Sequence, residues 1–164
     1  MMVIQKAEEA DFEQIWTILQ EVFQKGDTYA FSPDITREEV FHIWMEVPLD
    51  TYVAIENDLI VGTYFLKPNQ PSLGSHVCNV GYTVSAQARG KGVGRLMCEH
   101  SLNEAKAYGF KAMQYNCVVS TNQVAVELWK KCGFEIVGTI PKAFNHKEQG
   151  LVDAFVMYQW LSQG

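Results

Sequence analysis

The sequence predicts a mixed α/β fold, a central sheet flanked by helices in the order β-α-α-β-β-β-α-β-α-β-β. Three observations carry that expectation. Val80–Gly94 is an apolar, β-branched run that enters a turn with Gly90, Gly92 and Gly94 and leaves it as a long helical pattern. Thr51–Glu56 and Leu59–Lys67 are β-rich runs joined at Asn57-Asp58, a hairpin signal that starts the sheet antiparallel. The helix after the glycines then lies between strands ending near Val84 and Val119, as a crossover connection requires.

Each element has its own warrant. Val3–Lys6 is a short β-like start. Asp11 precedes Phe12, Ile15, Trp16, Leu19, Val22 and Phe23, an apolar stripe at helical spacing, and can cap that helix with Gln14 at its third position. Lys25-Gly26-Asp27 stops it. Asp27–Asp34, with two exposed-looking aromatics, is either a connector or a substrate-facing loop. Thr36 and Glu39 form a capping box for a second helix with Val40, Ile43, Trp44 and Val47 inward, and Pro48 ends it. Pro68–Gly74 is a loop and Ser75–Val84 a strand, in which Gly81 suggests a bulge or the close approach of another backbone.

The helix after the glycines runs to about Tyr108, with Met97, Cys98, Ser101, Leu102, Ala105 and Tyr108 on one arc, and Gly109 ends it. Lys111–Val119 is a strand. Asn122–Cys132 is a helix with Val124, Ala125, Leu128 and Trp129 inward. Phe134–Ile140 and Leu151–Trp160 are the last strands, joined by a loop over Pro141–Gly150. No repeat or linker interrupts the chain, so residues 1–164 are expected to form a single domain.

Composition narrows the function classes. A net charge of −6 argues against nucleic acid as a partner and mildly favours a cationic small molecule. No run of about 18 apolar residues exists, so no membrane span is expected. The N-terminus lacks the layout of a signal peptide. Cys78, Cys98, Cys117 and Cys132 are scattered without metal-ligand spacing and read as reduced, mostly buried thiols of a cytoplasmic protein that holds no metal.

The glycine turn carries the chemistry. A strand feeding such a turn and then a helix leaves backbone N–H groups pointing one way at the positive end of the helix dipole, which suits phosphate. A dinucleotide fingerprint is excluded, because Arg95 stands where its third glycine belongs and the strand Met113-Gln114-Tyr115-Asn116 has no carboxylate. A P-loop is excluded because Gly92 follows Gly90-Lys91. A third pattern fits, Gln/Arg-x-x-Gly-x-Gly/Ala, through Gln87, Gly90 and Gly92. Downstream, Asn122, Ala125, Leu128, Trp129, Lys131 and Gly133-Phe134 follow in order.

On these two motifs the chain resembles the GNAT superfamily of acetyl-CoA-dependent N-acetyltransferases. Asn116–Asn122 and Gly138–Phe144 are similar to the branch that contains the yeast L-azetidine-2-carboxylate acetyltransferase. The resemblance implies a fold in which two neighbouring strands splay apart to admit the pantetheine arm. The backbone of Tyr82, Thr83 and Val84 would bind that arm, and an N–H near Tyr82, aimed by a bulge at Gly81, would polarise the thioester carbonyl. Backbone N–H groups across Arg89, Gly90, Lys91, Gly92, Val93, Gly94 and Arg95 would surround the pyrophosphate. Arg89, Lys91, Arg95 and Lys131 could touch phosphates, although solvated surface is the plainer reading of their side chains.

The catalytic expectations are thinner. The family's usual general acid is a Tyr where this chain has Trp129, whose indole cannot serve as one. Tyr115 and Tyr82 are the nearest phenols by strand position, and the thiolate could also leave unassisted. No carboxylate sits on Ser75–Val84, and His76 reads as a surface or packed histidine. Asn79 and Asn116 are unusual in strands, so each is either a satisfied amide or part of a set that holds the acceptor. Asn122 caps a helix, contacts CoA, or both. Asn116, Asn122 and Tyr82 are therefore the catalytic candidates. The expected reaction moves acetyl from acetyl-CoA to a small-molecule amine, an amino acid or analogue. The alternatives are a protein or peptide acceptor, or a catalytically idle acyl-CoA sensor. The apolar C-terminal strand could support a homodimer.

Overall fold

Asn57 and Asp58 both take positive φ, 52° and 64°, the backbone that a two-residue hairpin needs. They join β2 (Asp50–Glu56) to β3 (Leu59–Pro68), and β1 (Met2–Lys6) pairs antiparallel with β2. The computed structural model describes residues 1–161. Its helices are α1 (Phe12–Lys25), α2 (Arg37–Phe41, running on through one π-helical turn at His42–Glu46), α3 (Val93–Tyr108) and α4 (Gln123–Lys131). The remaining strands are β4 (Val77–Val84), β5 (Ala112–Val119), β6 (Glu135–His146) and β7 (Gly150–Trp160). They form one sheet in the order β1-β2-β3-β4-β5-β7-β6, antiparallel except for β4 with β5. The element order and the mixed sheet are those the sequence predicts.

Two cores cover the two faces. On one, Phe12, Ile15, Leu19 and Phe23 of α1 and Trp44 pack on Val53 and Phe65. On the other, Met97, Cys98 and Ala105 of α3 and Trp129 of α4 pack on Tyr64, Val80, Met113 and Met157. Each fully buried large side chain contributes roughly 1.5–3 kcal/mol of transfer free energy, and this clamps the sheet between its helices.

Four local expectations are corrected. Asp11 does not cap α1. Its carboxylate accepts the Glu8 N–H at 2.8 Å, closing a 3-10 turn over Glu9–Asp11 that leads straight into the helix, while the Gln14 amide accepts from the Ile60 N–H at 3.0 Å. Val47 and Val124 are exposed rather than inward, because α2 ends in a wider turn and Val126 takes the buried place on α4. The Thr36–Glu39 capping box forms as expected. Pro141–Gly150 is not a loop. β6 passes Pro141 on an irregular stretch between Ile140 and Phe144 and continues to His146. An edge strand tolerates proline there, since a bulged position needs no N–H for the ladder.

Candidate active site

The site begins where the β4–β5 ladder stops. Pairing covers only Val77, Cys78 and Asn79 against Ala112, Met113 and Gln114. On its other side β5 stays paired with β7, from Ala112 with Trp160 to Val119 with Ala154, and that register slips across Asn116 and Cys117. A gap opens between the upper halves of β4 and β5. The Ser85 N–H donates to the Val61 carbonyl at 2.8 Å, which sets the alternation: Thr83 and Gly81 bond β3. The N–H and C=O groups of Tyr82 and Val84 therefore face the gap.

No bulge lies at Gly81, since the register runs unbroken from Gly62 with Val84 to Pro68 with Cys78. The glycine serves close approach of side chains instead. A Cβ there would stand 2.5 Å from the Phe65 ring and 3.0 Å from the Tyr29 hydroxyl.

At the end of β4 the three glycines divide by role. Gly90 and Gly92 have φ of 79° and 83°, and nothing lies within 4 Å of where their Cβ atoms would be. They serve backbone shape and an open surface. Gly94 lets helices touch, its Cβ position lying 3.0 Å from Leu128 of α4. The first α3 ladder bond runs from the Leu96 N–H to the Gly92 carbonyl at 3.1 Å, so the N–H groups of Val93, Gly94 and Arg95 stand outside the ladder at the positive helix end. Val93 is 1% exposed, so only its backbone is offered.

The remaining phosphate candidates fit less well. The Lys91 N–H turns back to the Ala88 carbonyl at 3.4 Å. Arg95 is paired with Glu99 at 3.0 Å, a bond that raises the guanidinium pKa further. Arg89, Lys91 and Lys131 are exposed.

The asparagines separate. Asn122 caps α4, its Oδ1 accepting from the Ala125 N–H at 3.3 Å. Asn116 is exposed and belongs to an amide chain: its Nδ2 donates to Asn69 Oδ1 at 2.7 Å, and its Oδ1 accepts from Gln114 Nε2 at 3.0 Å. Asn79 Nδ2 donates to the Gln114 carbonyl at 2.9 Å. Gln114 thus joins Asn79 to Asn116 beside the point where the strands part. Asn69 and Gln114 carried no signal in the sequence.

The phenols do not offer a general acid to the gap. Alternation turns the Tyr82 side chain towards α3, where its hydroxyl meets Ser101 Oγ at 2.6 Å and the Tyr115 hydroxyl at 2.8 Å. Burial raises both phenols well above the usual tyrosine value and pushes the Cys98 thiol up to about 12. Trp129 closes this cluster, its ring 4.7 Å from that of Tyr82 and 5.1 Å from that of Tyr115. His76 is exposed, on the loop before β4. The aromatics at Tyr29 and Phe31 are half-buried, not exposed. The Tyr29 hydroxyl donates to the Tyr82 carbonyl at 2.8 Å across 53 positions of sequence, a contact no local pattern signals. Among the described residues no cluster of three or more His, Cys, Asp or Glu could hold a metal ion, and no helix is long and apolar enough to cross a membrane.

The opened parallel strand pair thus leads to the glycine-shaped N-terminus of α3. The sequence matches the acetyltransferase (GNAT) family over residues 12–134, and the chain belongs to that family of acetyl-CoA-dependent N-acetyltransferases. It is 32% identical over 154 residues to the N-acetyltransferase aca1 of Schizosaccharomyces pombe, with 84% of this chain and 73% of that protein covered. Among solved structures it is similar to a GCN5-related N-acetyltransferase from Kribbella flavida, 40% identical with a TM-score of 0.93 over 98% of both chains. The yncA protein of Salmonella typhimurium, solved with its cofactor acetyl-CoA, shares the fold at 19% identity, with a TM-score of 0.87 over 100% of this chain and 96% of that one.

Proposed function

We propose that the protein transfers acetyl from acetyl-CoA to the amine of a small molecule, an amino acid or close analogue, in the cytoplasm. The observation that carries this is the β4 edge, where Tyr82 and Val84 face an opened gap that leads to the N-terminus of α3. The residues fit the cofactor. Gly90 and Gly92 leave a surface that any Cβ would fill, and the N–H groups of Val93, Gly94 and Arg95 would hold the pyrophosphate. Bound acetyl-CoA supplies an activated thioester carbonyl. The N–H of Tyr82 would donate to that carbonyl oxygen, and the edge of Val84 would align the arm. With both phenols closed on each other and Trp129 in the acid position, the chain's contribution is positioning and oxyanion stabilisation rather than side-chain proton transfer.

A small acceptor is favoured by the other side of the gap. The α1–α2 connector is tied down twice: the Lys147 N–H donates to the Gly26 carbonyl at 3.0 Å, and Tyr29 bonds the Tyr82 carbonyl. The amide chain through Asn79, Gln114, Asn116 and Asn69 offers donors and acceptors suited to a carboxylate or amide beside the amine. The likeness to the azetidine-carboxylate branch makes cyclic secondary amino acids the first candidates.

The test is CoA release with a panel of free amino acids, L-azetidine-2-carboxylate, simple amines and short peptides. Turnover with free amino acids or cyclic amines is expected. Turnover with peptides alone would replace the acceptor class, and CoA binding with no turnover on any member would make the protein a sensor.

A further inference from the structure

Beside the β4 edge, on the face opposite α3, three oxygens meet. The Tyr29 hydroxyl donates its one proton to the Tyr82 carbonyl, so towards any further group its oxygen acts as an acceptor. Thr83 is 4% exposed, and its hydroxyl, which alternation puts on this same face, makes no well-formed hydrogen bond although the Tyr29 hydroxyl lies against it. Gly81 makes room for the Tyr29 hydroxyl, since a Cβ there would stand 3.0 Å from that oxygen. The Tyr29 ring is fixed edge-on to Phe23 at 5.5 Å and to Trp44 at 6.1 Å, and burial keeps its phenol protonated. A buried hydroxyl without a partner costs about 1–3 kcal/mol unless something fills it. A cluster rich in acceptors and lacking a carboxylate matches an N–H donor and does not require a charged one.

We propose that Tyr29 and Thr83, together with the Tyr82 carbonyl, hold the amino nitrogen of the acceptor. The proposal rests on the acetyl-transfer reading above. Its geometry puts the nucleophile next to the residue whose N–H would hold the thioester oxygen, so that nitrogen and carbonyl carbon meet across one β4 residue. Tyr29 and Thr83 are positioning residues for the nitrogen and not bases. As the nitrogen bonds the acetyl carbon the thioester C–S bond breaks, CoA leaves as its thiolate, and the proton that the nitrogen loses leaves to water.

Two near-isosteric variants test this, Thr83→Val and Tyr29→Phe. With the best acceptor from the panel, each is expected to raise its KM by about tenfold, while CoA affinity stays within about twofold. Thr83→Val is also expected to keep or raise the melting temperature, since it removes a buried hydroxyl without a well-formed hydrogen bond. An unchanged KM in Thr83→Val overturns the proposal, because a merely structural threonine would give that result. A second readout needs no turnover. Methylamine is titrated into CoA-bound protein labelled at tyrosine Cζ, with the Tyr29 resonance assigned from Tyr29→Phe. A saturable shift that Thr83→Val weakens supports the site, and the absence of one overturns it. Should the panel give no turnover, the functional reading fails and the methylamine titration alone decides the nitrogen site.

Discussion

The two faces of β4 treat polar groups in opposite ways. On the α3 face, the Tyr82 and Tyr115 hydroxyls, Ser101 Oγ and the Cys98 carbonyl close on one another at 2.6–2.8 Å, and Trp129 seals the cluster. On the α1 face, the neighbouring Thr83 hydroxyl is buried without a well-formed hydrogen bond, and the Tyr82 carbonyl relies on a residue 53 positions away. On one face the polar groups are partnered. The other is left incomplete beside the β4 edge, where the proposed acceptor nitrogen would complete it.

Variants can break that contrast, taken from the largest expected effect. Gly92→Val puts a β-branched residue at φ 83° and a side chain over the open turn. Loss of measurable CoA binding by calorimetry is expected with the fold retained by circular dichroism, and unchanged binding would remove the turn from the site. Trp129→Ala opens the partnered face and is expected to cost about 3–5 kcal/mol in urea unfolding. A cost under about 1 kcal/mol would mean that the cluster packs loosely. Asn116→Ala is expected to lower kcat/KM for the acceptor by about tenfold with CoA affinity unchanged. The reverse split would move Asn116 to the cofactor.

The smallest effect is a pH dependence. His100 Nδ1 lies 2.7 Å from the Tyr64 hydroxyl, and burial lowers its pKa while Glu104 partly opposes this. The unfolded chain therefore takes up the proton first. The stability His100 contributes is complete above its unfolded value of about 6.5 and is lost as pH falls below it. Urea midpoints at neutral and mildly acidic pH should show a steeper acid loss for wild type than for His100→Gln. Equal slopes would mean that the histidine titrates freely.

Much of the frame was legible because its signals are local. Asn57-Asp58 needs only the backbone of two residues, the Thr36–Glu39 box only four, and the Gln87–Gly92 pattern only six. What stayed hidden is tertiary. Where β4 leaves β5 is decided between strands whose paired residues, Val77 to Asn79 and Ala112 to Gln114, lie more than thirty positions apart, and no local pattern marks the end of that ladder. The glycine at 81 announced a special position, yet its reason lies in Phe65 and Tyr29, so a bulge was the wrong inference from a correct signal. Pro141 stops a strand in the interior of a sheet but not on the β6 edge, and edge status cannot be read from sequence. Tyr29 was visible only as an aromatic in a segment that read equally as a connector or a substrate-facing loop.

Amide hydrogen exchange, read by NMR with and without acetyl-CoA, tests the central claim most directly. The N–H groups of Tyr82, Val84, Val93, Gly94 and Arg95 should slow together on addition of acetyl-CoA, because all five face the proposed cofactor path. Slowing elsewhere with these five unchanged would contradict the account and put the cofactor on another surface.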